Sequence, residues 1–213
     1  MSPDYFPLQP AKQRLLDGAE QLGLRLGELQ AQSLCAYLAL IWRWNKTYNL
    51  TAIATPDGMV DRHLLDSLSI APYLAGHDII DVGSGAGLPG VPLSLYYPDF
   101  RFCLLDKNGK RVRFLRHVKR SLGLANVEVV GSRSEHYQGS FDVVLARAVA
   151  GLEPLLEQAG HLCRVGGRFL AMKGHPEKLS AAHPAFEEIA CHRLQVPGVD
   201  ATRTLVVLAK HQA

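Results

Sequence analysis

Residues 79–93, "IIDVGSGAGLPGVPL", run from buried-type residues into four glycines and then a proline. An apolar run ending in an acid, Asp81, reads as a strand. Pro89 and Val91 open a helix, and Gly83, Gly85 and Gly87 between them form a G-x-G-x-G loop. Glycine tolerates positive φ and lets a ligand approach bare main chain, and a helix N-terminus offers unpaired N–H groups. The stretch therefore predicts a nucleotide-like cofactor at the end of the first strand of an α/β sheet.

Outward from this loop, short apolar runs alternate with helix-length segments: "DIIDVG", "RFCLLD", "VEVVGS", "FDVVLARAV" and "GRFLAMKG". Unbroken apolar runs indicate strands covered on both faces, hence a doubly wound parallel sheet. "CHRLQVP" and "TRTLVVLAK" have no helix between them and read as a terminal antiparallel strand pair. Before the sheet, helical periodicity predicts helices over 11–23, 28–45 and about 59–69. This divides the chain into an N-terminal helical extension, residues 1–75, and an α/β core, residues 76–213. Trp42 joins Leu38 and Ile41 on one apolar helix face and is expected in the core. Base stacking is the alternative for Trp42, Trp44 and Tyr48, which interleave with Arg43 and Lys46.

The 213 residues, 47% hydrophobic and 20% charged, fit one sizeable domain without staples. Cys35, Cys103, Cys163 and Cys191 never form CxxC and are expected to be buried thiols of a reducing cytoplasm. Histidines lack metal-ligand spacing, so no metal is expected, and neither a membrane span nor a secretory leader is evident. The net charge of +3 is unremarkable. Its distribution is not: "KNGKRVRFLRHVKR", 107–120, holds seven Lys and Arg and no acid. Such a block attracts polyanions, unless it is only a solvated helix face.

"GAGLPG", 85–90, formally fits the dinucleotide pattern, and Asp106 follows where a ribose hydroxyl could be held. Ser134 and Glu135, after the third strand, add an acceptor suited to an adenine amino group. With the G-x-G-x-G loop and the terminal strand pair, they favour S-adenosylmethionine over NAD. That ligand has a ribose, an adenine and a zwitterionic tail but no pyrophosphate.

Across nearly the whole chain, "WNKTYNLTAI" (44–53), "RHLLDSL" (62–68), "DVGSGAGLPGVPL" (81–93), "LLDKNGKRVRFL" (104–115), "SRSEHY" (132–137), "ARA" (146–148), "MKG" (172–174) and "TRTLVV" (202–207) occur in one order. In these motifs the chain resembles the small-subunit ribosomal RNA methyltransferase G family, also called glucose-inhibited division protein B. The resemblance implies a class I S-adenosylmethionine-dependent methyltransferase fold. It also implies methyl transfer to N7 of a guanine in the 530 loop of 16S rRNA. It places cofactor contacts on Gly83, Leu88, Ser134, Glu135 and Arg147; Asp106 joins them from the ribose argument, and Gly85 and Gly87 shape the loop. His136, Tyr137 and Ala86 depart from the family pattern outside the named contacts.

Guanine N7 carries an in-plane lone pair, so no catalytic general base is expected. Alignment of nucleophile, methyl and sulfur can supply roughly 7–11 kcal/mol. Neither an NPPY-like motif nor a nucleophilic cysteine is present; the fourth strand ends "ARAV". Arg147 there could hold a phosphate or the guanine O6, or form an ion pair with Asp81 or Glu135. Lys173, Arg203 and, less directly, Arg133 are further candidates for RNA contact. His63 and Asp66, three apart, are expected to bridge locally beside the cofactor mouth. The expectation is a cytoplasmic monomer acting on 16S rRNA or the 30S subunit. The alternatives are a methyltransferase for another RNA site and a non-catalytic RNA-binding assembly factor.

Overall fold

A computed structural model describes residues 5–147, 151–177, 179 and 183–212. Helices α1 (Leu8–Gln21) and α2 (Glu28–Tyr48) open the chain. Asn49, left-handed at φ 50°, terminates α2. The Asn45 amide then clasps the main chain of Thr51 in both directions, at 2.9 and 2.8 Å, which turns the chain back. The third predicted helix is one continuous helical run with a changed pitch: α3 (Pro56–Met59), a π-helical segment Val60–Leu65, and α4 (Asp66–Leu68).

The sheet follows as β1 (Asp78–Val82), helix α5 (Gly90–Tyr96), β2 (Arg101–Leu105), helix α6 (Gly109–Leu122), β3 (Val127–Val130), β4 (Phe141–Arg147), helix α7 (Leu152–Ala159), β5 (Cys163–Lys173), β6 (Phe186–Leu194) and β7 (Arg203–Lys210). The strand order is β3-β2-β1-β4-β5-β7-β6. The first five strands pair in parallel, while β7 runs antiparallel between β5 and β6. The apolar runs thus lie where the sequence places them, and the terminal pair closes one edge. Residue 148 of the "ARA" motif lies outside the described residues, as does 149.

Strand alternation divides the core into two layers. One face (Ile79, Leu104, Val143, Leu145, Leu170, Leu205) packs against α1 to α6. The other (Ile80, Val144, Phe169, Ala171, Val206) packs against α7. Trp42 contributes to the first layer, edge-on to Phe6 at 5.9 Å.

Cys35, Cys103 and Cys163 are buried, and burial pushes each thiol up to about 11. Cys191 is exposed, against expectation, because β6 is the edge strand and its alternate side chains face water. Among the described residues no helix is long and apolar enough to cross a membrane, and no group of His, Cys, Asp and Glu could hold a metal.

Candidate active site

The glycine loop is held almost entirely by its own chain. Gly83 and Ser84 donate their amides to the Leu105 carbonyl at 2.8 and 3.1 Å, and Gly87 donates to Ser84 O at 2.7 Å. Gly85 N–H donates to Asp106 Oδ2 at 2.9 Å, and Gly90 N–H to Asp81 Oδ2 at 2.9 Å. Beneath the loop, the fully buried Tyr37 of α2 donates its hydroxyl to Ala86 O at 2.8 Å.

Two of the four glycines are bare for internal reasons. A Cβ on Gly87, at φ 99°, would sit 2.6 Å from Val91 Cγ2 and 2.9 Å from Leu115 Cδ2. One on Gly90 would meet Leu104 and come within 2.7 Å of Asp81 Oδ2. At Gly85, φ 60°, the nearest atom to such a Cβ is 3.8 Å away, so this glycine borders open space. Sequence alone does not separate these two kinds of glycine.

The open side is a crevice of about 180 Å³ at the carboxyl ends of β1, β2 and β3, where ligands bind in sheets of this type. Gly83, Asp106, Arg133, Ser134 and Glu135 line it, with Leu155 and Gln158 of α7 as the far wall. Of the expected cofactor residues, Gly83, Asp106, Ser134 and Glu135 line this crevice and Gly85 bonds Asp106 at its edge, whereas Gly87, Leu88 and Arg147 lie outside its lining; Arg133, expected at the RNA, is part of it. Asp106 accepts from Gly85 N, from Asn108 N at 2.8 Å and from Arg111 at 3.4 Å. A carboxylate has about four lone-pair sites, so one further donor can be accommodated. Glu135 lies exposed on a short 3-10 turn; its own amide and the Ser134 hydroxyl hold its carboxyl below the usual range. Leu88 is half-buried and packs on the first core layer.

Asp81 is a residue whose importance the sequence does not disclose beyond its place at a strand end. It is buried under the loop, burial pushes it up to about 7, and its Oδ1 has no hydrogen-bond partner.

Arg147 belongs to a second cavity, about 200 Å³, with Lys173, Arg203, Asp66 and Thr204. Its ion pair is with Asp66, at 3.4 Å, and not with Asp81 or Glu135. It also donates to Arg62 O at 2.9 Å. Arg203 Nε reaches the other Asp66 oxygen at 2.8 Å. The expected His63–Asp66 bridge is absent: His63 Nε2 bonds Thr51 Oγ1 at 2.9 Å, and Asp66 is taken by the two arginines. The π turn accounts for this, since its wider winding shifts residues three apart off a common face. Burial and Arg147 depress His63 to about 4, so it is neutral at pH 7.

Alternation also separates three of the four candidate RNA cations, Arg133 being at the crevice. Arg147 and Arg203 lie on the helical-extension face of their strands, in phase with Leu145 and Leu205. Lys173 is in phase with Ala171 on the α7 face, where it pairs with Glu177 at 3.0 Å. Glu177 in turn accepts from Leu152 N–H at the start of α7.

A sequence profile described as rRNA small subunit methyltransferase G matches residues 30–206. Ribosomal RNA small subunit methyltransferase G of Ectopseudomonas mendocina is 48% identical over 204 residues, 93% of this chain and 95% of its own length. The Pseudomonas aeruginosa protein of the same name is 50% identical over 201 residues, 92% and 94% of the two chains. Among solved structures, a SAM-dependent methyltransferase from Aquifex aeolicus superposes with TM-score 0.55 at 14% identity, covering 71% of this chain and 92% of its own. TrmN from Thermus thermophilus gives 0.55 at 16% identity, covering 96% and 78%. The fold is that of the class I methyltransferases. With the profile running from α2 through the glycine loop into β7, and relatives near 50% identical over nearly the whole chain, the chain belongs to the rRNA small subunit methyltransferase G family.

Proposed function

We propose that this protein transfers a methyl group from S-adenosylmethionine to N7 of a guanine in the 530 loop of 16S rRNA, on the ribosomal small subunit, as a cytoplasmic monomer. The observation that carries the choice of cofactor is the saturation of the loop. The amides of Gly83, Ser84, Gly85 and Gly90 already donate to protein oxygens, so no amide cradle is left for a pyrophosphate. What lines the crevice instead is acceptor-rich: Asp106, Ser134 and Glu135. That chemistry suits a ligand carrying an ammonium, a sulfonium, ribose hydroxyls and an adenine amino group.

S-adenosylmethionine supplies an electrophilic methyl carbon; guanine N7 attacks it with its lone pair, and sulfur leaves with the electrons of the broken bond. No proton moves, and the positive charge passes from sulfur to the purine. In this scheme Asp106, Ser134 and Glu135 orient the donor, and Gly83 and Gly85 leave it room. Leu88 and the neighbouring apolar residues exclude water. The same scheme assigns Arg147, fixed by Asp66 and Arg62 O in the second cavity, to the target base, with Arg203 beside it and Lys173 at the same cavity from the other sheet face. Neutral, buried His63 is no base, consistent with a reaction that needs none. The helical extension, residues 1–75, braces the 76–213 core through Tyr37.

The test is tritiated methyl transfer from S-adenosylmethionine to small subunits lacking the modification, followed by borohydride and aniline cleavage to locate 7-methylguanine. Cleavage at the 530 loop is expected. Incorporation elsewhere in the RNA would refute the site, and none at all would refute the activity.

A further inference from the structure

The basic segment recognised in the sequence lies on α6, and the active site uses only its first residues, Lys107 and Arg111, at the crevice edge. The remainder has an unusual electrostatic layout. Lys110, Arg113, Arg116 and Arg120 are exposed and follow one another at three- and four-residue steps, which aligns them as a stripe along the helix. An ordinary solvated face would interleave acids four residues away, yet 107–122 contains neither Asp nor Glu. The first turn also carries cations where the helix dipole favours anions. Lys119 and Arg120 suit the C-terminal pole, but Lys110 and Arg111 oppose the dipole and the whole row sets like charges side by side, so helix stability alone does not account for the arrangement.

The stripe does not end at α6. Arg113 donates to the Tyr48 hydroxyl of α2 at 3.2 Å, and the Trp44 ring lies 4.9 Å from His117 and stacks on Tyr48 at 5.0 Å. Residues 29–48 of α2 are likewise free of acids, and Arg43 is exposed beside this seam. Burial, Arg43 and Arg120 together lower the His117 pKa, a local sign of concentrated positive charge. A surface with an unbroken row of cations and two half-buried aromatic rings starts at the crevice mouth and continues for about 20 Å along the 14-residue helix.

We infer that the α6 stripe and the adjoining end of α2 form a second contact surface that holds the sugar-phosphate backbone of RNA beside, and not within, the transfer site. It rests on the RNA methyltransferase function proposed above, and gives that function a docking track separate from the target pocket. Charge complementarity selects a polyanion. Continuity with the crevice selects the strand that carries the target base, and the aromatic seam gives an unpaired base a place to lie.

The experiment compares wild type with R113Q/R116Q/R120Q and with R25Q/R101Q/R164Q, which removes the same charge from exposed arginines elsewhere. The probe is a 16S rRNA fragment spanning the target loop, titrated at several salt concentrations, with phosphatidylglycerol vesicles in parallel. Methyl-transfer kinetics and S-adenosylmethionine titration accompany it. The stripe variant is expected to raise KM for RNA about tenfold or more and to flatten the plot of log K against log salt by about two units. Its kcat at saturating RNA and its cofactor affinity should stay within twofold of wild type. Its melting temperature should stay close to wild type, since relief of like-charge repulsion offsets the lost Arg120–dipole and Arg113–Tyr48 interactions. The control variant should match wild type in KM and slope. Unchanged KM and slope in the stripe variant, equal losses in the control, or a charge dependence seen on vesicles but not on RNA would overturn the inference. If the wild-type protein methylates no ribosomal RNA, the activity proposal fails while the salt titration still decides this surface.

Discussion

Tyr37 and Ala86 lie 49 residues apart in sequence and 2.8 Å apart as hydroxyl and carbonyl, so the second helix of the extension directly supports the glycine loop. Tyr37→Phe keeps the ring and leaves a buried carbonyl unsatisfied. A loss of about 1–3 kcal/mol in stability is expected, with S-adenosylmethionine binding several-fold weaker. Urea denaturation and calorimetric titration measure both, and wild-type values in each would show that the loop does not need this strut.

Gly85 and Gly87 should respond differently to one added methyl group. Gly87→Ala meets both a left-handed backbone and two side chains within 3 Å, so it should destabilise the fold by about 2–4 kcal/mol. Gly85→Ala has open space and should lose only about 1–2 kcal/mol from its backbone conformation, while binding the cofactor at least tenfold more weakly. Equal stability losses in the two variants would contradict the geometry.

Asp66 is a buried carboxylate shared by Arg147 and Arg203. Removing one partner of such a group costs about 3–5 kcal/mol, so Asp66→Ala should approach that figure in chemical denaturation. Asp66→Asn, which keeps one acceptor, should lose less stability yet still lower kcat by displacing Arg147. A stable, fully active Asp66→Ala protein would rule out this role.

Asp81 sets a pH dependence of the ligand-free protein. Its folded pKa is raised from 3.8 to about 7 by burial, so the folded state binds more protons than the unfolded state across that interval. Its contribution to stability is fully present below pH 4 and is lost as pH rises through 7. Thermal melts of wild type should fall relative to Asp81→Asn between pH 4 and 8. Parallel curves for the two proteins without ligand would exclude a raised pKa.

The sheet was legible because runs such as 102–105 and 143–146 are apolar on both faces, which fits only strands covered on both sides. The loop was legible because G-x-G-x-G follows one of them. Local pattern could not show that Gly87 answers to Leu115 and not to a ligand, since that contact joins separate elements. Nor could it show the π turn that takes Asp66 away from His63, because helix pitch responds to packing as well as to spacing. Lys173 and Arg203 looked equivalent at their strand ends; strand phase places them on opposite sides of the sheet. Cys191 resembled the other thiols until β6 proved to be the outermost strand.

The position of β7 between β5 and β6 gives the buried carboxylate a proofreading consequence. Arg203 reaches Asp66 only when the final hairpin is seated, and a slip of one residue would turn that arginine to the α7 side. A mispaired chain would leave Asp66 one cation short, so the charge that anchors the site also discriminates against the wrong alignment of its last strand.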